Sequence, residues 1–288
     1  MTLIELKDDR SEKIRYDNPD YPVYIHSGTL SLYPNYTAPN HWHDDIELIV
    51  ILDGEMNYNV NGKIIKLHNG EGIFVNAGQM HFGFSDSRTE CHFICMILHP
   101  LLLCTVPAYE QEFVLPVIRC SCAPFVFLDP NVHWQRDILK QIHFANQIKD
   151  QKTAPLKVQS SFFAIWSLLY ENIPKNSNIV NPQNIDLTIV KNMVGFIQKN
   201  YSHKISLMEI AASGAVGQSK CCKLFAKYFS QTPNGYLTQY RLNKSIELLH
   251  DTDRSITEIA LSVGFGGASY YAETFRKWIG KSPTEFRN

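Results

Sequence analysis

An internal repeat in the last third of the chain constrains the fold more than any other feature of the sequence. Glu209–Ala211 recurs as Glu258–Ala260, 49 positions later. Four later residues recur 50 positions on, namely Ser219, Phe225, Lys227 and Pro233 as Ser269, Phe275, Lys277 and Pro283. The extra residue falls in the glycine-bearing stretch between the two sets, where an insertion is easiest. The repeat therefore predicts two copies of one small helical unit.

Each copy has the pattern of a helix-turn-helix. Capping boxes, in which a serine is followed three residues later by a glutamate, begin the first helices at Ser206–Glu209 and Ser255–Glu258. Gly214 and Gly264 suit the turn that follows. Between the copies, Pro233–Leu249 has the apolar spacing of one long connecting helix.

A helix-turn-helix presents the N-terminal half of its second helix to the major groove of DNA. The outward candidates for base contact are Gln218, Ser219, Cys222, Lys223, Gly267, Ala268, Ser269 and Glu273. The candidates for phosphate contact are Lys220, Lys227, Arg276 and Lys277. Lys223 could also bond guanine, and Glu273 could accept from cytosine N4. An αα-hairpin used only for packing is the alternative, and two matched copies argue against it.

The net charge of the whole chain argues against nucleic-acid binding, but this charge is unevenly distributed along the sequence. The whole sequence has 27 Lys and Arg against 28 Asp and Glu, a formal charge of −1. A polar stretch around Pro182 predicts a linker over residues 176–184. Residues 185–288 have 13 basic and 8 acidic residues, a net of +5, and residues 1–184 have 14 and 20, a net of −6. The repeat therefore lies in the mildly basic part.

The second copy resembles the AraC/XylS family of bacterial transcription regulators. The residues that carry this resemblance are Gly264–Phe265 and Phe275–Arg287, with sequence FRKWIGKSPTEFR. The resemblance covers about residues 185–288. It implies two tandem helix-turn-helix units on one chain, which read adjacent major grooves on one face of promoter DNA.

The N-terminal part contains a histidine-rich segment. His41, His43 and Glu47 have the same parity, so on one extended strand their side chains would share a face. His81 could join them from a neighbouring strand. Asp53–Gly54 predicts a turn, and Asn61–Gly62 predicts a tight hairpin.

These residues resemble the cupin β-barrel family. Its first motif, His-x-His-x3-Glu-x6-Gly, is complete in His41, His43, Glu47 and Gly54, and a partial second motif includes His81. In cupin enzymes the three histidines and the glutamate hold a divalent metal. In AraC-type regulators the same strand lines a small-molecule pocket, which leaves ligand binding by these four residues with Tyr24 and Trp42 as the main prediction. No cofactor is then required, and a divalent metal in the pocket is the less favoured alternative.

Two amphipathic segments connect the parts. His133–Asp150 has apolar residues at three-to-four spacing, and Pro155 begins a second apolar helix over Leu156–Glu171. The family resemblance implies that this connector forms a homodimer. A hairpin within one chain is the alternative.

Together these observations predict an α+β multidomain protein. The expected domains are a cupin-like ligand-sensing β-barrel over 1–130, a helical connector over 131–175, the linker over 176–184 and an all-α tandem helix-turn-helix domain over 185–288. No apolar run is long enough for a membrane span, and the mostly charged and polar segment from Met1 to Tyr16 predicts no secretory signal. Seven cysteines without metal-ligand spacing indicate reduced thiols and a cytoplasmic protein.

The predicted function is sequence-specific DNA binding by a transcription regulator, and not an enzyme. The regulator is expected to respond to a small-molecule effector, for which family analogy favours a carbohydrate, and to activate transcription by contacting RNA polymerase. The alternative from another class is a metal-dependent cupin enzyme fused to a DNA-binding unit. A third hypothesis, a ligand-independent architectural DNA binder, is disfavoured because a buried polar set is costly unless something uses it.

Overall fold

The structure is a computed structural model that describes residues 4–6, 11–17, 21–120, 122–174, 182–229 and 231–287, with side chains from residue 186 in the helix that begins at Pro182. The chain divides into two compact units between Asn184 and Ile185. The expected linker over 176–184 lies mostly outside the described residues, and its last three residues already belong to a helix.

The first unit is built on seven strands. They are β1 Val23–Thr29, β2 Ile46–Val60, β3 Lys63–His68, β4 Gly72–Val75, β5 His81–Phe84, β6 Cys91–Leu98 and β7 Phe125–Leu128. The strands pair in the order β1-β6-β2-β4-β7, and β3 and β5 pair with the second half of β2. All of these pairings are antiparallel.

The central strands are apolar on both faces because each face packs on a different core. In β2, Ile46, Leu48 and Val50 lie in a core shared with the helices. Ile49 and Ile51 lie in a second core, enclosed by the curved sheet. Glu47 has the parity of Ile49 and Ile51, so its carboxylate is directed into the interior of the barrel.

The expected turn at Asp53–Gly54 is wrong. β2 runs without interruption through these residues, with a register shift against β6 between Ile51 and Asp53. Gly54 has φ +81°, and a Cβ there would lie 2.4 Å from the carbonyl oxygen of Glu90. A bulge at this point therefore bends one long strand and lets its two halves pair with different partners. The predicted hairpin at Asn61–Gly62 is confirmed, with positive φ at both residues.

The α-helices of the first unit follow β6. Two short ones, α1 Pro107–Tyr109 and α2 Leu115–Ile118, precede the connector helices α3 His133–Ile148 and α4 Ala154–Asn172. The two connector helices pack on each other, and α3 also packs on the sheet. The intramolecular hairpin that the sequence left open therefore forms.

Cys120 and Cys122 form a disulfide, so the expectation that all seven cysteines are reduced is wrong for this pair. Their Cα atoms lie 5.3 Å apart, within the range that a disulfide requires. The other five cysteines are free thiols, and Cys91, Cys95 and Cys221 are buried.

The second unit is all-helical. Its helices are α5 Pro182–Asn200, α6 Leu207–Ser213, α7 Gln218–Phe229, α8 Pro233–Asp251, α9 Ile256–Ser262, α10 Ala268–Ile279 and α11 Pro283–Arg287. Both predicted capping boxes are present, with each glutamate reaching back to the N-cap serine. The predicted long connecting helix is α8, which contacts α6 and α7 of the first copy and α9 of the second. Within the described part of the chain, no helix is both long and apolar enough to cross a membrane.

The two turns each contain one residue with a left-handed backbone, and in the first copy this residue is not the expected Gly214. The left-handed residue is Ala215 in the first copy (φ 54°) and Gly264 in the second (φ 88°), whereas Gly214 has φ −94°. A Cβ on Gly214 would instead lie 2.7 Å from Met193 Cγ, so this glycine permits close packing on α5. Equivalent backbone hydrogen bonds in the two copies lie 49 positions apart as far as Phe265, which matches Val216. From Gly267, which matches Gly217, they lie 50 positions apart, so Gly266 is the extra residue of the second copy.

Candidate functional site

Four buried polar side chains come together inside the barrel: His41, His43, Glu47 and His81. One ligand atom from each lies within 4.8 Å of the others. His41 and His81 exchange backbone hydrogen bonds of 3.1 and 2.9 Å, which fixes one loop against β5. The expected sharing of one strand is wrong, because β2 begins only at Ile46 after a bend at Asp44–Asp45. We call these four residues the His/Glu cluster.

The histidine rings of the His/Glu cluster all have the same orientation. Nδ1 lies 2.8 Å from Pro39 O in His41, 3.0 Å from Asp45 O in His43 and 2.9 Å from Gln79 O in His81. A carbonyl oxygen only accepts, so each Nδ1 donates its proton outward and each Nε2 is the ring atom that faces the rest of the cluster. Burial and then the neighbouring His81 hold the pKa of His41 well below its usual value, which keeps this ring neutral.

Glu47 adds a carboxylate to the three Nε2 atoms. Its Oε1 accepts a hydrogen bond from the Tyr58 hydroxyl, and its Oε2 lies 3.4 Å from Nε2 of both His43 and His81. Burial alone would raise the pKa of Glu47, but His81 and His43 offset this and hold the pKa well below its usual value. His81 Nε2 is buried and makes no hydrogen bond within the described part of the chain. Among the described residues, the cluster therefore leaves one buried ring nitrogen, His81 Nε2, without a hydrogen-bond partner.

This arrangement fits a divalent cation. Metal-bound histidines usually donate their other ring N–H to a carbonyl or carboxylate, as all three rings do here. Two ligands at roughly 2.1 Å from one ion lie at most about 4.2 Å apart, so the 4.8 Å limit needs only a small inward movement. Three imidazoles and a carboxylate suit iron, manganese, nickel or zinc.

A cavity of about 530 Å³, including its open mouth, lies beside the His/Glu cluster. Most of its wall is apolar, with Leu30, Ile49, Met56, Phe93 and Ile97 among the lining residues. Its polar groups are concentrated where Glu12, His41, Glu47 and Tyr58 meet, and Tyr24, Tyr33 and Cys95 also line it. An apolar wall with a few convergent polar groups is the usual lining of a small-molecule site.

The predicted ligand residues do not all occupy the same place in the structure. Tyr24 lines the cavity with His41 and Glu47, and His43 and His81 complete the cluster. Trp42 is half-buried, and its backbone forms an isolated β-bridge with Ser11. Sequence analysis missed Glu12, Tyr33 and Tyr58. Of these, only Tyr58 had a usable signal, since it is an aromatic residue in the strand that carries Glu47.

The second helices of the two copies, α7 and α10, expose the residues predicted to contact DNA. Gln218, Ser219, Lys220, Lys223, Ser269, Glu273, Arg276 and Lys277 are exposed, and Cys222, Gly267 and Ala268 are half-buried. On the opposite, inward faces of the two helices, the side chains of Phe225 and Phe275 are buried.

Two details of these faces were not foreseen. Tyr270 is 62% exposed at the position that matches Lys220, so the second copy presents an aromatic ring where the first presents a cation. Lys220 and Lys227 both pair with Asp186 of α5, at 3.1 and 3.8 Å. The two faces therefore differ in charge and chemistry, as expected for helices that read different bases.

Comparisons with known protein families agree with both units. The family described as "Helix-turn-helix domain" matches residues 210–288, and the family described as "Cupin domain" matches residues 28–97. The first covers most of the tandem repeat, and the second includes the His/Glu cluster.

Curated relatives match along nearly the whole chain. The HTH-type transcriptional regulator YdeC of Bacillus subtilis is 28% identical, over 93% of this chain and 92% of that protein. The melibiose operon regulatory protein of Escherichia coli is 23% identical, over 88% and 85% of the two chains. The HTH-type transcriptional activator RhaS of Escherichia fergusonii is 24% identical, over 88% and 89%.

Among solved structures, ToxT from Vibrio cholerae aligns over 92% of this chain and 96% of its own, with 12% identity and a TM-score of 0.42. The capping boxes, the exposed faces of α7 and α10, the cupin cluster and the full-length relatives lead to the same assignment. The chain is a DNA-binding transcription regulator in which a cupin domain precedes a tandem helix-turn-helix domain, and it is similar along most of its length to regulators of the AraC type.

Proposed function

We propose that this protein activates transcription in response to a small molecule held in the barrel cavity. The observation that carries the proposal is the cavity itself, an apolar space beside two buried polar atoms, Glu12 Oε2 and His81 Nε2, that have no hydrogen-bond partner within the described residues. Buried polar groups without partners cost free energy, and a bound effector would supply those partners. An effector can act only through a difference in affinity for two arrangements of the protein.

We further propose that the His/Glu cluster holds one divalent cation as part of the sensor. His41, His43 and His81 would bind it through Nε2 and Glu47 through Oε2, the atoms that face one another. Bound there, the cation would act as a Lewis acid that anchors a polar group of the effector. The relatives are transcription regulators, which favours sensing over the fused-enzyme alternative.

The cavity wall indicates the class of effector. The melibiose operon regulatory protein is a relative, which supports a carbohydrate. A carbohydrate, however, carries hydroxyl groups on every side, and each one left unpaired in a buried site costs about 1–3 kcal/mol. Because the polar groups of this cavity are concentrated near Glu47, a molecule with one polar end and an apolar body fits it better.

Activation, dimerisation and location complete the proposal. The relative RhaS is an activator, which supports activation through contact with RNA polymerase. Leu156 of α4 is 76% exposed, and pairing of connector helices between two subunits would cover it. A DNA-binding regulator acts on promoters, so we place the protein in the cytoplasm.

Calorimetry and metal analysis on the purified full-length chain test the proposal. We expect one cation per chain, lost in His81→Ala and kept in His68→Ala, which removes an exposed histidine of β3 instead. Melibiose and a set of amphipathic small molecules are then titrated into the loaded protein, and the affinity for promoter DNA is measured with each. Effector binding that leaves DNA affinity unchanged would contradict the regulatory role.

A further inference from the structure

The N-terminal arm, residues 11–17, lies along the loop that carries His41 and His43. Ser11 bridges Trp42, and the Glu12 N–H donates to the Trp42 carbonyl at 2.8 Å. At the other end of the arm, the Tyr16 hydroxyl donates to Asp45 Oδ1 at 2.8 Å. These contacts place one arm residue, Glu12, against the His/Glu cluster.

The side chain of Glu12 is directed inward and is only 12% exposed. Its Oε2 lies 3.5 Å from His41 Nε2 and makes no hydrogen bond to any described residue. The neighbouring basic residues of the arm do not neutralise Glu12, because Lys13 and Arg15 are exposed and pair with Glu5. A buried carboxylate without a partner is expensive, so a counter-charge at this point would stabilise the ionised form of Glu12.

Charge balance identifies that counter-charge. The cluster alone would surround a divalent cation with neutral imidazoles and one carboxylate, which leaves one positive charge buried. A second carboxylate, Glu12, would neutralise it, and this carboxylate lines the same cavity as Glu47. Glu12 is not among the four residues whose ligand atoms lie within 4.8 Å of one another, so it approaches from the side of the arm, past His41.

We propose that Glu12 contacts the bound cation, directly or through one water, so that cation binding fastens the N-terminal arm to the barrel. The inference rests on the cation site proposed above and adds a fifth residue to it. Because Glu12 is the arm residue that reaches this site, occupancy of the site and docking of the arm become linked equilibria.

Two measurements on the full-length chain test the inference. Calorimetric titration with Zn²⁺ or Mn²⁺ should show affinity about 10–100 times weaker in Glu12→Gln than in the wild type. Trypsin cleavage after Lys13 and Arg15, which are exposed, should slow on cation addition in the wild type and stay fast in Glu12→Gln. Asp44→Asn removes an exposed carboxylate nearby and is the control. It should keep the wild-type cation affinity within a few-fold.

The outcomes separate the two proposals. If Glu12→Gln binds the cation and protects the arm as the wild type does, Glu12 has no such role and the four-residue site stands. If the wild type binds no cation while its far-UV circular dichroism shows a folded protein, the cation site fails and the role of Glu12 fails with it. Loss of affinity and of arm protection in Glu12→Gln alone supports the inference.

Discussion

Gly264→Ala tests how the second helix-turn-helix copy is held. Gly264 has φ +88° in the turn between α9 and α10, and a Cβ there would lie 2.4 Å from Tyr201 O. It would also lie 3.0 Å from Nε and Nη2 of Arg241. Arg241 of α8 donates to Tyr201 O and to His203 O, each at 2.8 Å. The turn, α8 and the loop after α5 therefore meet at one point.

Two costs add to give the expected magnitude. A left-handed conformation costs an L-residue about 1–2 kcal/mol. The added methyl group would displace a backbone oxygen and so weaken a hydrogen bond from a charged donor, worth about 1.5–3 kcal/mol. The sum is roughly 3 kcal/mol or more. Ala215 shows that the turn itself tolerates a Cβ, so the close approach to Tyr201 makes the larger difference.

Hydrogen exchange measured by mass spectrometry on the full-length chain would locate this effect. A loss of about 3 kcal/mol should speed exchange across α9 and α10 by roughly 100-fold. The matched control is Gly217→Ala, where a Cβ would meet nothing within 4 Å, and its exchange should change by only a few-fold. Equal exchange rates in the two variants would refute the close-packing argument.

Three further predictions concern the two functional regions. Lys223→Ala and Glu273→Ala should each weaken specific promoter binding by about 1–3 kcal/mol at fixed salt while leaving the unfolding temperature unchanged, as measured by fluorescence anisotropy and calorimetry; unchanged sequence preference in both would mean that α7 and α10 are not the reading helices. Asp186→Asn frees Lys220 and Lys227 for phosphates, so nonspecific DNA affinity should rise a few-fold with a steeper salt dependence, and equal salt slopes would contradict this. Burial, opposed by His43, raises the pKa of Glu12 to about 7 from 4.5. Because the folded state binds this proton more tightly, metal-free protein should lose stability as the pH rises from about 5 to 7, and the unfolding temperature of Glu12→Gln should lack this component.

Local signals were predicted well because their causes are local. The capping boxes at Ser206 and Ser255 and the Asn61–Gly62 hairpin depend on residues within four positions of one another. The repeat also located α8 correctly, since two matched units need a connection between them. The Gly214 assignment was wrong because a glycine permits either a positive φ or close packing, and the sequence alone does not distinguish these uses.

The barrel site was predicted by residue type but not by geometry. The cupin pattern identified the four cluster residues, and the bend at Asp44–Asp45 that separates His43 from Glu47 left no clear signal. In the sequence, the Asp53–Gly54 pair looks like a turn. That it is a bulge within one strand becomes visible only from the pairing of β2 with four other strands. Glu12 reaches the cluster through long-range arm contacts, so no local pattern could have identified it. Tyr270 could have been found by aligning it with Lys220 in the repeat.

The central claim is that both copies of the repeat read DNA. Genome-wide mapping of bound sites at base resolution, with the wild type and the Lys223→Ala/Glu273→Ala double variant, tests it most directly. The predicted result for the wild type is a set of discrete promoter sites with two blocks of contact about one helical turn, or 10 base pairs, apart. These sites should lose enrichment in the double variant. Uniform coverage of the genome by the wild type, or identical sites in the double variant, would contradict the claim.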